Sequence, residues 1–246
     1  MNLPIFLFTD FGSADIYVGQ VKAVLHARAR ACAVIDLLND APAFDIVANA
    51  HLLAALVRRL PAESIVLGVV DPGVGSQRGA VMLEAEGRWF IGPDNGLFSV
   101  VRARAAASAC FTLDWLPQPE SASFHGRDLF APAAAAIASG RVDIRSRARE
   151  TALEIELDPA DFPRIIYVDH YGNAMTGLRS NTLDRRASLR LKGRVLHYVR
   201  VFTDAPRGEI FWYENSIGLV EIAANQANAS SLLGLAVGDE LSVEPA

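Results

Sequence analysis

Strand-like and helix-like segments alternate through roughly the first 145 residues of this 246-residue chain. The strand-like runs are rich in β-branched and aliphatic residues, whereas the helix-like runs carry apolar residues three and four positions apart. The predicted strands and helices here are Ile5–Thr9, Ala33–Leu37, Ile65–Val70 and Ala80–Ala85, and Tyr17–Arg28, Asp45–Leu60 and Arg127–Ser139. Such alternation is typical of βαβ crossovers and predicts an α/β fold with a largely parallel central sheet covered by helices.

The rest of the chain has a different pattern. Residues 145–163 are charged and interrupted by prolines, which predicts a linker between an N-terminal domain, residues 1–150, and a smaller C-terminal domain, residues 163–246. Short strand-like segments separated by Gly and Asn follow this linker: Arg164–Asp169, Leu189–Leu191, Leu196–Phe202, Gly218–Ile222 and Glu240–Val243. Their close spacing predicts a small antiparallel barrel or sandwich.

Composition excludes several classes of partner. The net charge of -5 gives no basic surface for nucleic acid or for an anionic membrane. No apolar run reaches spanning length and the first residues lack the pattern of a secretion signal, so we expect a cytoplasmic protein. The only cysteines, Cys32 and Cys110, form no CxxC motif and do not cluster with His, which disfavours a disulfide framework or a zinc site.

Asp71 to Arg78 is the segment richest in chemical information. It follows a predicted buried strand, so Asp71 is expected at the carboxyl end of that strand, where open α/β sheets place their ligands. Gly73, Gly75 and Pro72 shape a loop that can return Arg78 to the same place. The alternative for this segment alone is a tight turn with a solvated arginine.

His125 is the second focal point. It precedes a predicted helix with Asp128 in its first turn, and Gly126 lets the backbone approach a ligand closely. Because an imidazole titrates at about pH 6.5, it is the side chain best suited to take a proton from water at neutral pH. The other four histidines lack comparable neighbours and are expected to have packing or surface roles.

Further carboxylates occur at predicted strand ends of the first half, namely Asp10, Asp36, Asp40 and Asp94. A fixed carboxylate there can accept hydrogen bonds from both hydroxyls of a ribose. The alternative role is helix capping or an Asx turn, which is the favoured interpretation for Asp40 and Asp94.

Several segments together resemble one family in order and spacing over nearly the whole chain. They are Thr9–Gly12, Tyr17–Gly19, Asp71–Gly75 with Arg78, Gly92–Gly96, Phe124–Asp128, Asp169–Asn173 and Tyr213–Ala223. The family is that of the S-adenosyl-L-methionine hydroxide adenosyltransferases. The resemblance implies an N-terminal α/β domain, a C-terminal β-barrel domain, and a homotrimer that holds substrate between one subunit's N-terminal domain and a neighbour's C-terminal domain.

The resemblance also implies a reaction. S-adenosyl-L-methionine is cleaved at C5′ of its ribose by a hydroxide derived from water, giving adenosine and L-methionine, with no cofactor and no metal. Asp71, Arg78 and His125 match the triad that holds this water. We assign His125 as the acceptor of the water's proton, Asp71 as the group that orients water or imidazole, and Arg78 as the charge that fixes Asp71.

Substrate contacts are carried over from the same resemblance. Asp10 matches the ribose acceptor, Asn173 the residue that reads the adenine edge, and Asp169 with Ser216 the positions that hold the methionine ammonium group. The remaining matches are aromatic, with Tyr171, in place of the commoner Phe, as a wall and Phe44 and Trp212 as candidates for packing around the nucleoside.

Three other functions compete with this hypothesis. Halide-using relatives of the same fold, the fluorinases and chlorinases, replace the triad's Asp and His, so Asp71 and His125 favour water. A non-catalytic module that binds adenosine or S-adenosyl-L-methionine would need the pocket without the triad. A metal-dependent hydrolase is disfavoured because the sequence has no HxH, HExxH or DxDxDG spacing.

Overall fold

The computed structural model describes residues 2–113, 119–141 and 148–245. The chain divides into two compact units, the first formed by Met1–Ala54 and Leu60–Pro159 and the second by Ala55–Arg59 and Ala160–Ala246. Residues 145–147 of the predicted linker lie outside the described residues, so the limits of that linker stay a prediction. Among the described residues, no helix has both the length and the apolar character needed to cross a membrane.

A seven-stranded sheet organises the first unit. Its strands are β1 (Ile5–Thr9), β2 (Val34–Leu38), β3 (Ser64–Val69), β4 (Ala80–Ala85), β5 (Arg88–Pro93), β6 (Ser108–Thr112) and β7 (Glu150–Thr151). The spatial order is β2-β1-β3-β5-β4-β6-β7. The four strands β2, β1, β3 and β5 are parallel, which confirms the predicted class of sheet and places the carboxyl ends of β1 and β3 side by side.

The other strands of this sheet are antiparallel, which the predicted βαβ alternation did not include. β4 pairs antiparallel with β5 and with β6, and β6 pairs antiparallel with β7. The physical reason is the two-residue turn Glu86–Gly87, in which both residues have positive φ, 51° and 72°. Such a turn reverses the chain at once, so β4 and β5 form a hairpin and no crossover helix joins them.

Helices complete the first unit. They are α1 (Ile16–Arg28), α2 (Ile46–Leu56), α3 (Ser99–Arg104) and α4 (Ala131–Ala138). Asp15 starts α1 because its carboxylate accepts a hydrogen bond from the backbone N of Ile16. A π-helical turn, Gly126–Phe130, leads directly into α4 in the region of the predicted Arg127–Ser139 helix. α1 and α4 cover one face of the sheet, and each fully buried leucine such as Leu25 contributes about 1.5–3 kcal/mol to folding.

The second unit is built from antiparallel strands. They are β8 (Phe162–Val168), β9 (Ala174–Arg179), β10 (Ser188–Leu191), β11 (Arg194–Leu196), β12 (Ile210–Glu214), β13 (Leu219–Ala224) and β14 (Ser242–Glu244), with one short helix, α5 (Ala229–Leu233). One sheet has the order β12-β13-β9-β8 and the other the order β11-β10-β14.

Backbone hydrogen bonds join these two sheets at both sides. After β11, the N of Trp212 donates to the O of His197 at 3.0 Å, and the N of Val199 donates to the O of Trp212 at 3.0 Å. Before β14, the N of Ile165 donates to the O of Asp239 at 2.9 Å. The strands therefore form a closed ring around an apolar core, antiparallel except at the parallel bridge between Tyr198 and Trp212, in agreement with the predicted C-terminal barrel.

Candidate active site

The loop between β3 and β4 brings Asp71 and Arg78 together. The Nε of Arg78 donates to Oδ1 of Asp71 at 2.8 Å, and its Nη2 donates to Oδ2. The side chain of Asp71 is only 5% exposed and that of Arg78 only 10%. A buried, bidentate arginine–carboxylate pair is geometrically fixed in a way that exposed ion pairs are not, so this pair is a rigid part of the site.

Three features fix the conformation of this loop. Gly75 has a φ of +81°, and a Cβ there would lie 2.7 Å from the carbonyl oxygen of Ala122, so only glycine fits. The Nη1 of Arg78 donates to the carbonyl oxygen of Gly79 at 3.1 Å. The Cζ of Arg78 lies 5.3 Å from the centre of the buried Phe130 ring, a cation–π contact that fixes the plane of the guanidinium.

His125 is the third member of this group. The Nη2 of Arg78 lies 3.1 Å from Nδ1 of His125. Since a guanidinium has donors and no acceptor, Nδ1 accepts this hydrogen bond and the proton of the neutral ring sits on Nε2. Burial lowers the pKa of His125 below its usual value, and the positive charge of Arg78 lowers it further. The imidazole is therefore neutral at pH 7 and offers Nε2–H as a donor.

Aromatic packing positions the His125 segment. A Cβ at Gly126 would lie 2.9 Å from Cζ of Phe11, so this glycine allows the backbone to rest on the ring. The rings of Phe11 and Phe124 meet edge to face with centroids 5.7 Å apart. Arg78 and His125 also line a cavity of about 740 Å³ in the first unit, whose lining includes neither Asp71 nor Asp10.

Asp10 and Phe44 form a second contact at the carboxyl end of β1. Oδ2 of Asp10 accepts a hydrogen bond from the backbone N of Phe44 at 3.1 Å. Burial is the main cause that raises the pKa of Asp10, and the negative charge of Asp71 adds to it. The Phe44 side chain is 75% exposed although its backbone has a φ of 64°. A strained backbone under an exposed aromatic ring is typical of a ligand-binding position.

Asn49, in α2, is a residue of this region that the sequence analysis did not identify. It is fully buried, and its Nδ2 donates to the carbonyl oxygens of Pro42 at 2.6 Å and Asp45 at 2.8 Å. These two bonds hold the loop that carries Phe44 in its strained form. No sequence signal distinguished this asparagine from an ordinary polar residue in a helix.

The second unit brings three candidates together in the turn between β8 and β9. Oδ1 of Asp169 accepts hydrogen bonds from the backbone N of Tyr171 at 2.9 Å and of Asn173 at 2.8 Å. Oδ2 of Asp169 accepts from Nδ2 of Asn173 at 2.9 Å. The Tyr171 ring is exposed and meets the His170 ring edge to face. The turn thus fixes one carboxylate and one amide beside an exposed aromatic wall.

Ser216 and Trp212 lie in different environments. Ser216 is exposed, in the turn between β12 and β13. Trp212 is 1% exposed, and its Nε1 donates to the carbonyl oxygen of Ala187 at 3.2 Å in the barrel core. Its predicted role in packing around a nucleoside is therefore corrected, because the indole is enclosed by the unit's own apolar residues.

Glu221 is a second residue without an assigned role in the sequence analysis. It is 1% exposed in β13, and its carboxylate accepts from the hydroxyl of Tyr213 at 2.8 Å and from Nδ2 of Asn215 at 2.6 Å. Burial raises the pKa of Glu221, and the charge of Asp169 adds to this effect. The available signal was a single acidic residue within the apolar run Leu219–Ala224.

The described residues contain no group of three or more His, Cys, Asp or Glu side chains arranged to hold a metal ion. Asp40 accepts hydrogen bonds from the backbone N of Ser13 at 2.8 Å and from its hydroxyl, and Asp94 accepts from the backbone N of Glu154 at 3.1 Å. These bonds join segments 27 and 60 positions apart, so they are neither the helix caps nor the Asx turns expected from sequence.

The chain thus combines an α/β unit, in which a guanidinium bonds to a carboxylate and to an imidazole, with a β-barrel unit. Residues 5–146 match the family model of the SAM hydroxide adenosyltransferase N-terminal domain, and residues 163–242 match that of the C-terminal domain. The chain therefore belongs to the S-adenosyl-L-methionine hydroxide adenosyltransferase family.

Individual relatives agree with this membership. The chain is 37% identical to a protein of Thermus thermophilus and 38% identical to one of Salinispora arenicola, both named (R)-S-adenosyl-L-methionine hydrolase. Each alignment covers 96% of this chain, and they cover 97% and 95% of the two relatives, respectively. An uncharacterized conserved protein of Thermotoga maritima has a solved structure with a TM-score of 0.86 at 26% identity, covering 97% of this chain and 99% of that chain. A conserved hypothetical protein of Thermus thermophilus has a solved structure with a TM-score of 0.78 at 35% identity, covering 98% and 99%.

Proposed function

We propose that this protein hydrolyses S-adenosyl-L-methionine by attack of a water-derived hydroxide at C5′ of the ribose, releasing adenosine and L-methionine. The observation that carries the proposal is the contact group of Asp71, Arg78 and His125, in which one guanidinium bonds to a carboxylate and to a neutral imidazole. Family membership and the names of the relatives support the same reaction.

The chemistry of the substrate defines what the site must supply. A bond forms between the water oxygen and C5′ while the C5′–S bond breaks, and its electron pair stays on sulfur. The sulfonium thereby becomes the neutral thioether of methionine, so the leaving group needs no acid. The water loses one proton, which passes to the solvent. Because the leaving group needs no acid, the main task of the protein is to position and activate the water. A positioned acid–base group typically increases the rate by about 10²–10⁴-fold.

The observed hydrogen bonds refine the roles within the triad. In this arrangement Nδ1 of His125 is occupied by Arg78, so the imidazole holds the attacking oxygen through Nε2–H. The positive guanidinium favours an anionic hydroxide at that place. For His125 to accept the water's proton at Nε2, as predicted from sequence, Nδ1 would have to release Arg78. Asp71 fixes the guanidinium.

The substrate's ends have separate binding groups in this proposal. Asp10 accepts the ribose hydroxyls beside the exposed Phe44 ring, and Asn173 reads the adenine edge. Asp169 and Ser216 hold the methionine ammonium group, with Tyr171 as an aromatic wall. Support comes from the fixed carboxylates described above and from family membership.

We further propose a homotrimer in which each site uses the first unit of one subunit and the second unit of its neighbour. Mixing His125→Ala protein with Asn173→Ala protein, after subunit exchange, is then expected to restore part of the activity, because some sites contain neither substitution. Failure to restore activity despite demonstrated exchange would place each complete site in one chain.

The relatives' printed name suggests the stereochemistry of the substrate. Because the prefix L already fixes the α-carbon of methionine, R describes the sulfonium centre. We propose that this protein also acts on the R epimer at sulfur. Separate assays with the two resolved epimers test this, and faster release of adenosine from the S epimer would contradict it.

The reaction itself is tested in water enriched in a heavy oxygen isotope. The label is expected on the 5′-hydroxyl of adenosine, with methionine unlabelled. Adenosine without label would overturn attack by water at C5′. In the same assay with added chloride or fluoride, a 5′-halogenated adenosine would favour the halide-using alternative. Binding without any product would favour the non-catalytic module.

A further inference from the structure

Glu221 lies in the second unit's sheet near the predicted substrate-binding turn. It stands opposite Met175 of β9 and opposite Tyr213 of β12. Side chains that are opposite in an antiparallel pair share a face, and residues two apart in one strand share it as well. Asn173 lies directly before β9 and bonds to Asp169, whose negative charge acts on Glu221.

Two donors hold the Glu221 carboxylate. The Tyr213 hydroxyl donates to Oε1 and Nδ2 of Asn215 donates to Oε2, and these two bonds oppose the larger effect of burial, which raises the pKa of Glu221. Within the described part of the chain, no Lys, Arg or His forms an ion pair with Glu221. A buried carboxylate with this environment is costly unless a cation offsets its charge.

Asn215 connects Glu221 to the turn that carries Ser216. While its Nδ2 bonds to Glu221, its Oδ1 accepts from the backbone N of Ile217 at 3.1 Å and of Leu219 at 2.9 Å. The side chain of Asn215 thus bonds the turn at one end and the buried carboxylate at the other. The position of Ser216 consequently depends on Glu221.

We infer that Glu221 is a positioning residue for the methionine arm of the substrate, acting through Asn215 on the Ser216 turn and supplying negative charge beside Asp169. This inference rests on the proposed function, which places the substrate's ammonium group at Asp169 and Ser216. The ammonium is the cation that Glu221 lacks within the described chain. A purely structural role would instead affect all ligands and the folded state alike.

The test uses two ligands that differ in the amino-acid arm. S-adenosyl-L-homocysteine carries the arm but has no sulfonium, and 5′-methylthioadenosine lacks the arm. Glu221→Gln keeps the shape of the side chain and removes the charge. Calorimetry is expected to show S-adenosyl-L-homocysteine bound about tenfold more weakly and 5′-methylthioadenosine bound as in wild type. In turnover of S-adenosyl-L-methionine, KM is expected to rise by a similar factor with little change in kcat.

Glu214→Gln is the matched control. Glu214 lies in the neighbouring strand β12, is exposed, and pairs with Arg185 at 3.5 Å on the surface, so its substitution is expected to leave both affinities unchanged. If Glu221→Gln fails to fold, Tyr213→Phe removes one donor to the same carboxylate and is expected to weaken S-adenosyl-L-homocysteine selectively.

Equal weakening of both ligands, or unchanged affinity for S-adenosyl-L-homocysteine, would overturn the inference. Wild-type protein with equal affinity for the two ligands, or with no affinity for either, would overturn it as well, because the arm would then not be held. Wild-type protein that prefers S-adenosyl-L-homocysteine but releases no adenosine from S-adenosyl-L-methionine would contradict the hydrolase proposal and leave the role of Glu221 intact.

Discussion

Nη2 of Arg78 lies 3.1 Å from Nδ1 of His125, a contact between residues 47 positions apart in the chain. Since the guanidinium only donates, this single hydrogen bond selects the tautomer of the imidazole and leaves Nε2–H as its free polar edge. The same Nη2 also donates to Oδ2 of Asp71, while Nε donates to Oδ1. The geometry of the nucleophile's site therefore depends on arginine and not only on positive charge.

Arg78→Lys is expected to reduce turnover by about 10²-fold or more, although the charge is conserved. A lysine ammonium is a point charge without a planar fork, so it cannot bond to both Asp71 oxygens and to His125 in the observed geometry. Chromatography of released adenosine measures the rate. Arg102→Lys is the control, because Arg102 pairs with Glu156 at the exposed surface of the same unit. Full turnover in Arg78→Lys would show that the fork is dispensable.

His125→Ala and Asp10→Ala are expected to separate turnover from affinity. The first removes the group that holds the nucleophile, so turnover falls by about 10²–10⁴-fold while substrate affinity changes little. The second removes a ribose contact made in both ground and transition states, so affinity falls by about tenfold or more. Calorimetry and product analysis on each variant provide the two readouts. Loss of binding in His125→Ala would remove His125 from nucleophile positioning.

The pH dependence follows from the depressed pKa of His125. Burial and the charge of Arg78 lower it below 6.5, so the neutral imidazole persists and activity is expected to continue as pH falls through that value. Protonation at lower pH would place a proton on Nδ1 against Arg78 and abolish activity. Activity already lost well above pH 6.5 would contradict this assignment.

The pH dependence of stability has the same direction as that of activity. The pKa of His125 is lower in the folded state than in the unfolded state. Its contribution to the free energy of unfolding is therefore fully present above about pH 6.5, the unfolded value, and is lost as pH falls through the folded pKa. Chemical denaturation at a series of pH values, for wild type and His125→Ala, isolates this contribution as the difference between the two curves. A difference that grew towards low pH would be the opposite of the expectation.

Phe44→Gly and Phe44→Ala are expected to lose nucleoside affinity equally but to differ in stability. Both remove the exposed ring, whereas only glycine relieves the strain of a φ of 64°. The free energy of unfolding should therefore be about 1 kcal/mol higher for Phe44→Gly than for Phe44→Ala. Thermal unfolding measures the stability and calorimetry with adenosine measures the affinity. Retained affinity in both variants would remove Phe44 from the site.

Local pattern was sufficient for much of the fold. β1 has the predicted bounds, Ile5–Thr9, because a short apolar run ending in a polar turn has few alternatives. The orientation of β4 was not predictable in this way, since Glu86 gives no signal for the left-handed conformation that it adopts before Gly87. The glycines of the loop allowed Arg78 to return towards Asp71, the family resemblance implied that the two side chains pair, and the structure shows the contact.

The second unit shows where local pattern fails. Trp212 and Glu221 both belong to strands of one sheet, and the closure of the ring decides which side chains face the core. That closure depends on pairing between segments distant in sequence, such as Ile165 with Asp239, which no local pattern encodes. An aromatic residue near a functional motif was therefore assigned to the ligand, while the buried acid in the same sheet went unassigned.

The closed ring of strands also determines how the second unit behaves when it is disturbed. A sheet that closes on itself has no continuous free edge with which a strand of another molecule could pair, which protects against edge-to-edge aggregation. Residues 163–165 meet residues 238–241 where the ring is completed, and Arg164 bonds to Glu240 there. Separating these two segments would expose the backbone of β8 as a free strand edge, so the same contacts that close the ring also keep that edge paired.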